Sequence, residues 1–193
     1  FEKNETVAEK KTMLHTAKMR IKYLSDKIGV LLTMVRNGTD ILQINPEVFP
    51  FTLRCKEILK ELQVVYGDKK ISCTIEPETE VTVLADPVYF DGCVRNLLDN
   101  AIKYAGEEPE IKITAETPPG RVILSFTDNG KGMDEKEQKR VFSEFYRSDA
   151  RSSLKDHGIG LAFVKQVVKA HKGKINIESS PGKGSTFTIT LPQ

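Results

Sequence analysis

Apolar side chains return along the first stretch of the chain at Leu14, Ala17, Ile21, Leu24, Ile28, Leu31 and Val35. The intervals alternate between three and four, the seam of a heptad helix. Lys18, Arg20, Lys22, Asp26 and Lys27 fall between them and make a solvated face. Asn37-Gly38 stops the run, because glycine takes the left-handed conformation at a helix C-terminus without steric penalty. A strict 3.5-residue repeat is narrower than the stripe of a helix lying on its own domain. The seam is therefore expected to serve a bundle or a dimer, with a partner this chain does not obviously supply.

Residues 39–50 hold Asn45-Pro46 and Phe49-Pro50 and read as an extended linker. The domain boundary is placed near residue 46, giving a helical segment 1–45 and a domain 46–193. Leu53, Ile58, Leu59, Leu62 and Val65 predict a helix over 51–66, ended by Gly67. Strands are predicted over 71–75 and 81–84. Asp86, a good N-cap, and Pro87 at the first helical position open a helix running to about residue 104. Alternation predicts strands 111–115 and 122–126, joined through Pro118-Pro119-Gly120, and a closing hairpin of 175–178 and 186–191 around Pro181-Gly182. Helices are expected near 134–145 and 159–171. The whole implies an α/β (α+β) two-layer sandwich, a mixed sheet with helices on one face, preceded by a long coiled-coil-like helix.

With 193 residues and 39% hydrophobic content, one such domain plus an appendage is affordable. Charged residues make up 29%, yet the net charge is only +2, which argues against a nucleic-acid partner. Cys55, Cys73 and Cys93 are odd in number and lack Cys-x-x-Cys spacing, so neither a disulfide framework nor a zinc site is expected. They read as reduced, buried thiols of a cytosolic protein. No apolar run approaches the ~20 residues a membrane helix needs, so this segment is expected to make no membrane contact. The chain opens on Phe1 rather than Met and lacks a signal peptide. It reads as a piece of a longer protein with room for a membrane anchor upstream.

Three motifs carry candidate chemistry. Asn96 and Asn100 lie four apart on the predicted helix and share a face. Neutral amide oxygens there suit Mg2+ whose remaining ligands are phosphate oxygens, and Lys103 in the next turn suits a phosphate as a point charge. Exposed asparagines of an ordinary helix are the bland alternative. Asp128 follows a predicted strand, and a carboxylate there can accept from an exocyclic amine such as adenine's. Gly130 and Gly132 would let the backbone approach the ring. A plain Asp-Asn-Gly turn is the alternative. Gly158 and Gly160 open an apolar helix at Leu161, a phosphate cradle of N–H groups and helix dipole. Between the last two motifs runs a polar, basic stretch with Arg147, Ser148, Ser153 and Lys155. It reads either as a lid, with Arg147 or Lys155 touching the end of a triphosphate, or as a solvated loop.

The ordered motifs resemble the catalytic end of a sensor histidine kinase. Residues 96–104 (Asn-Leu-Leu-Asp-Asn-Ala-Ile-Lys-Tyr) are similar to its N box, 128–133 to its first glycine box, 142–147 to its F box, 158–162 to its second glycine box and 180–192 to its closing hairpin. The resemblance spans nearly the whole chain and implies a Bergerat-type ATP-binding sandwich, shared with gyrase and MutL. It implies ATP and Mg2+ as cofactors. Asn100 would be the metal ligand, with Asn96 beside the phosphates, Lys103 and Tyr104 facing them, and Asp128 on the adenine amine. Gly130, Gly132, Gly158, Gly160 and Leu161 would complete the nucleotide site, and Arg147 would act with Asn96 and Lys103 in catalysis.

Hydrolytic members of that superfamily carry a glutamate where Asn96 stands. An amide cannot act as a base, so phosphoryl transfer to a protein histidine is expected rather than hydrolysis. Asp156 stands where the family usually has a further glycine, which would stiffen the lid and bring a negative charge toward the phosphates. His15, His157 and His171 are the candidate acceptors. His15 lacks the family's acidic neighbour and has Arg20 in place of its proline. His157 belongs to the lid, and His171 suits a contact with a helix C-terminus. The acceptor is therefore expected on a helix outside this chain, and residues 1–45 as the second helix of the dimerisation hairpin. The implied partners are a second subunit and the receiver domain of a response regulator. A non-catalytic nucleotide-binding scaffold and a protein-serine kinase of anti-sigma type remain the alternatives.

Overall fold

The computed structural model describes residues 13–14, 16–21, 23–25, 28–29, 32, 42–143, 146 and 158–193. Among the described residues from 42 on, the elements are β1 (Glu47–Pro50), α1 (Phe51–Val65), β2 (Ser72–Glu76), β3 (Thr82–Ala85), α2 (Pro87–Tyr104), β4 (Glu110–Glu116), β5 (Arg121–Asp128), α3 (Glu135–Arg140), α4 (Gly160–Ala170), β6 (Lys174–Ser179) and β7 (Ser185–Pro192). The main sheet runs β2-β4-β5-β7-β6. Only β2 and β4 are parallel, so the sheet is mixed.

Period-two alternation decides which face of the sheet is covered. Ile113, Leu124 and Ile189 point inward and are fully buried, under α1, α2 and α4. The other face is polar, with hydroxyl pairs Thr127–Thr186 at 3.0 Å and Ser125–Thr188 at 3.3 Å. Phe51 of α1 meets Phe126 of β5 edge-on at 6.0 Å. A Cβ on Gly92 of α2 would lie 3.1 Å from the Phe163 ring of α4, so the glycine sets how closely those helices pack. Burying one such ring contributes on the order of 2–3 kcal/mol, more than any helix propensity term. Packing on the sheet therefore fixes the helical layer.

Asp86 caps α2 as expected. Its Oδ1 accepts from the N–H groups of Val88 (3.0 Å) and Tyr89 (3.1 Å), and its Oδ2 accepts from Asn45 N–H at 2.8 Å. The Asp86 N–H donates to Nε2 of buried His171 at 2.8 Å. That leaves Nδ1 to donate to the Val167 carbonyl at 2.8 Å, so His171 serves the last turn of α4, as its position suggested.

Residues 47–50, expected as unpaired linker, form a strand. β1 pairs with β3 in a separate two-stranded antiparallel sheet, with Val48 opposite Leu84. Phe49 is the reason: it is buried and packs edge-on against Phe90 at 5.3 Å. Helix α3 is shorter than the expected 134–145. A capping box between Asp134 and Glu137 starts it, and it ends at Arg140, where Phe142 turns to meet Phe187 edge-on at 6.3 Å.

All described residues between 13 and 32 are helical. The described seam positions Leu14, Ile21, Leu24 and Ile28 are exposed; Leu31 and Val35 lie outside the described residues. Tyr23, on another face, reaches back, and its hydroxyl donates to Asp99 Oδ1 at 2.9 Å. No helix among the described residues is long and apolar enough to cross a membrane. All three cysteines are free. Cys55 and Cys93 are buried as expected, whereas Cys73 on the edge strand β2 is only half-buried; burial pushes the thiols of Cys55 and Cys93 well up and that of Cys73 to about 11, which favours the protonated form.

Candidate functional site

Asn96 is buried in the middle of α2, not exposed, while Asn100 one turn on is half-buried. The Asn96 Nδ2 donates to the Gly92 carbonyl at 2.7 Å, which turns its Oδ1 toward α4. A Cβ on Gly160 would lie 2.7 Å from that Oδ1. The N-terminus of α4 thus rests directly on the asparagine face of α2. The N-cap residue Ile159 makes no side-chain cap to α4, and Gly158 before it has φ of 64°. Leu161 is half-buried in the first turn. This is the arrangement that receives a phosphate.

Asp128 ends β5, two residues past Phe126 and so on the same side of the strand as the core-facing Leu124 and Phe126. Its Oδ1 accepts from Gly130 N–H at 2.8 Å. Burial raises the carboxyl above its ordinary value, and hydrogen bonds from the Gly130 and Ser185 backbones oppose that rise. Gly130 is buried, and a Cβ there would lie 2.6 Å from Asp128 Oδ1 and 3.0 Å from the Tyr104 carbonyl. The loop after β5 is therefore pressed onto the C-terminal end of α2, where Lys103 and Tyr104 sit. Two glycines, 130 and 160, let three motifs converge on one helix.

Gly132 has a further reason to be glycine. Its φ is +67°, and a Cβ would lie 1.9 Å from the Ser180 carbonyl in the β6–β7 turn. Gly184 is its counterpart, with φ +77° and a Cβ position 1.9 Å from the Asp128 carbonyl. Sequence reasoning assigned Gly184 only to a hairpin; the Gly-Lys-Gly spacing was the one available signal that it also supports Asp128. Asp99 was missed altogether. It is buried between the two asparagines' turns, and its Oδ1 accepts from Tyr66 at 2.8 Å and Tyr23 at 2.9 Å. Burial first, then the Asp99 charge, pushes the Tyr66 hydroxyl pKa up. Arg95, also buried, pairs with Glu61 of α1 and lies 3.8 Å from Asp91, which pairs in turn with Arg54. The seam between α1 and α2 is thus charged where an apolar contact would be usual.

Arg147, Lys155, Asp156 and the rest of the basic stretch lie outside the described residues, as do His15 and His157. Among the described residues, no group of three His, Cys, Asp or Glu side chains is placed to hold a metal by itself. A neutral amide oxygen such as that of half-buried Asn100 has the chemistry to complete the shell of a hard cation whose other oxygens come from a polyphosphate.

Two amides on a helix, a strand-end carboxylate and a glycine-opened helix on one side of a mixed sheet define an ATP-binding α/β sandwich. The family model described as "Histidine kinase-, DNA gyrase B-, and HSP90-like ATPase" matches residues 85–193, and the chain belongs to that family. The adaptive-response sensory kinase SasA of Thermosynechococcus vestitus is 32% identical over 186 residues, covering 93% of this chain and 48% of that protein. The sensor-like histidine kinase SenX3 of Mycolicibacterium smegmatis is 34% identical over 173 residues, covering 88% of this chain and 45% of that one. The chain therefore spans about half the length of the curated relatives it matches. The solved mycobacterial sensor histidine kinase MprB superposes with a TM-score of 0.65 at 29% identity, over 77% of this chain and 97% of that chain. The family read from the N, F and glycine boxes is borne out.

Proposed function

We propose that this chain is the kinase end of a two-component sensor. It binds Mg2+-ATP and passes the γ-phosphoryl group to a histidine on a dimerisation helix, from which an aspartate of a response-regulator receiver domain takes it. Residues 46–193 are the catalytic domain and 1–45 the second helix of the dimerisation hairpin, working as a homodimer in the cytoplasm. The single observation that carries this reading is the close approach of Gly160 to Asn96 and of Gly130 to Tyr104, which brings the three motifs to one helix.

In this reading the Asn100 amide oxygen ligates Mg2+, which offsets charge on the phosphates. Asn96, held by its bond to Gly92, faces the phosphate end and offers no base to activate water. Lys103, Tyr104 and Arg147 face the phosphates, and the first turn of α4 with Gly158, Gly160 and Leu161 cradles them. Asp128 accepts from the adenine amine, beside Gly130 and Gly132. The residues position and neutralise, as phosphoryl transfer requires. The test is incubation of this chain with γ-labelled ATP and a separately supplied acceptor helix of its parent. Acid-labile label on that helix is expected. Label on His15 of this chain alone overturns the assignment of the acceptor, and steady ATP hydrolysis abolished by Asn96→Ala overturns transfer in favour of hydrolysis.

A further inference from the structure

Ser179 takes no part in the motifs assigned above. It ends β6 and stands opposite Ser185 of β7, which stands opposite Asp128 of β5. Directly paired residues of antiparallel strands point to the same face, so the two serines and the carboxylate share one row across the sheet. The Ser179 hydroxyl has three contacts. The Gly184 carbonyl, at 2.8 Å, can only accept, and the Met133 N–H, at 2.8 Å, can only donate. The third is the Ser185 hydroxyl at 3.1 Å. A hydroxyl has one proton to give and two lone pairs. Ser179 therefore donates to Gly184 and accepts from Met133 and Ser185, and its hydrogen-bonding capacity is full. Its backbone is held as well. The Ser179 carbonyl accepts from Gln138 Nε2 of α3 at 2.9 Å, and the same nitrogen donates to the Met133 carbonyl at 3.1 Å.

The Gly184 carbonyl is one end of the Gly184–Ser185 peptide, and the Ser185 N–H is the other. That peptide is planar and trans, so a bond that fixes the oxygen also aims the N–H. The Ser185 N–H is one of the two backbone donors that act on the Asp128 carboxyl. Gly184 brings this peptide against β5, since a Cβ there would lie 1.9 Å from the Asp128 carbonyl. The contacts thus run in one line: from the Met133 N–H to the Ser179 hydroxyl, through the Gly184–Ser185 peptide, to the Asp128 carboxylate. Hydrogen bonds joined in this way polarise one another, and a more polar N–H favours the ionised acceptor.

We propose that Ser179 is a positioning residue for the recognition of adenine, whose hydroxyl holds the Gly184–Ser185 peptide so that its N–H orients the Asp128 carboxylate toward the base. The inference rests on the ATP-binding reading above and adds to it a residue that does not itself touch the nucleotide. A carboxylate fixed before the base arrives loses less freedom on binding it.

The test is calorimetric titration of the full chain with a non-hydrolysable ATP analogue and Mg2+ across a pH series, on wild type, Ser179→Ala, Asp128→Ala and the double variant. Ser179→Ala is expected to weaken binding about three- to tenfold at neutral pH, the scale of one hydrogen bond. On acidification its affinity should begin to fall at a higher pH than in the wild type, because a carboxylate with a weaker donor is protonated more readily. In the Asp128→Ala background the same substitution should change little, since the group it positions is gone. Ser179→Cys stays close in size and offers only a weak donor. It should fall between wild type and Ser179→Ala, and it decides the matter if the alanine variant does not fold. Unchanged affinity, a loss equal at every pH, or an equal loss with and without the Asp128 carboxylate overturns the positioning role while leaving the ATP reading standing. A wild-type chain that does not bind the analogue overturns both.

Discussion

At Asp128 the demands of folding and of binding pull in opposite directions. Burial raises its carboxyl in the folded chain, against the Gly130 and Ser185 hydrogen bonds. A raised folded value means the group contributes stability below its unfolded pKa and loses that contribution as pH rises through the folded one. In the proposed site the ionised carboxylate is the stronger acceptor for an adenine amine, so nucleotide binding would run the other way. Affinity for Mg2+-ATP is expected to fall on acidification at a pH above the ordinary carboxylate range, with Asp128→Asn flattening the profile. At neutral pH the same substitution should lower affinity by about tenfold or more while leaving the apo fold as stable or more so; calorimetry and a melting curve read the two effects separately. Glycines give a second contrast at this scale. Gly106 has φ +72° with nothing within 4 Å of a Cβ, whereas a Cβ on Gly132, at φ +67°, would lie 1.9 Å from a backbone carbonyl. Gly106→Ala should cost about 1 kcal/mol from its φ alone, and Gly132→Ala upward of roughly 3 kcal/mol, measured by denaturant midpoints. Asp128 was legible because it follows an alternating strand. Gly184 and Asp99 were not, because what they touch is far away in sequence.

The helices and hairpins were legible where one period ran long enough. The capped α2, with Asp86 and Pro87 ahead of eighteen helical residues, was read nearly to its ends. β1 was not, since four residues ending in Pro50 carry too little alternation and its partner β3 lies more than thirty residues on. Nor does periodicity reveal the charged seam of Arg54, Glu61, Asp91 and Arg95, or the Asp99 clasp, because the positions look like any solvated face until α1 is docked. The clasp makes an element-scale prediction. Tyr66→Phe removes one of the two phenol donors to a buried carboxylate and should lower stability by about 1–2 kcal/mol, with the ring still filling its place. Tyr23→Phe should cost the domain less, since it loosens only the tie between the N-terminal helix and α2. Equal losses in the two variants, measured by denaturant unfolding, would contradict that division.

For the molecule as a whole, the fold uses one helix as the meeting place of the asparagine motif and the two glycine motifs. α2 carries the asparagines, receives the α4 N-terminus through Gly160, receives the loop after β5 through Gly130, and holds the N-terminal helix through Asp99. The seam residues Leu14, Ile21, Leu24 and Ile28 are exposed, and in the proposed homodimer they are the surface on which a second subunit would pack. Charged substitutions at Ile21 and Ile28 should abolish self-association in sedimentation while leaving ATP affinity unchanged. The central claim, that these residues form one adenine- and phosphate-binding pocket, is tested most directly by calorimetric titration of the chain with a non-hydrolysable ATP analogue and Mg2+. Saturable one-to-one binding is expected in the wild type, weakened about tenfold or more by Asp128→Ala and by Gly160→Ala alike. No saturable heat from the wild type at millimolar analogue, or equal affinity in all three proteins, would contradict it.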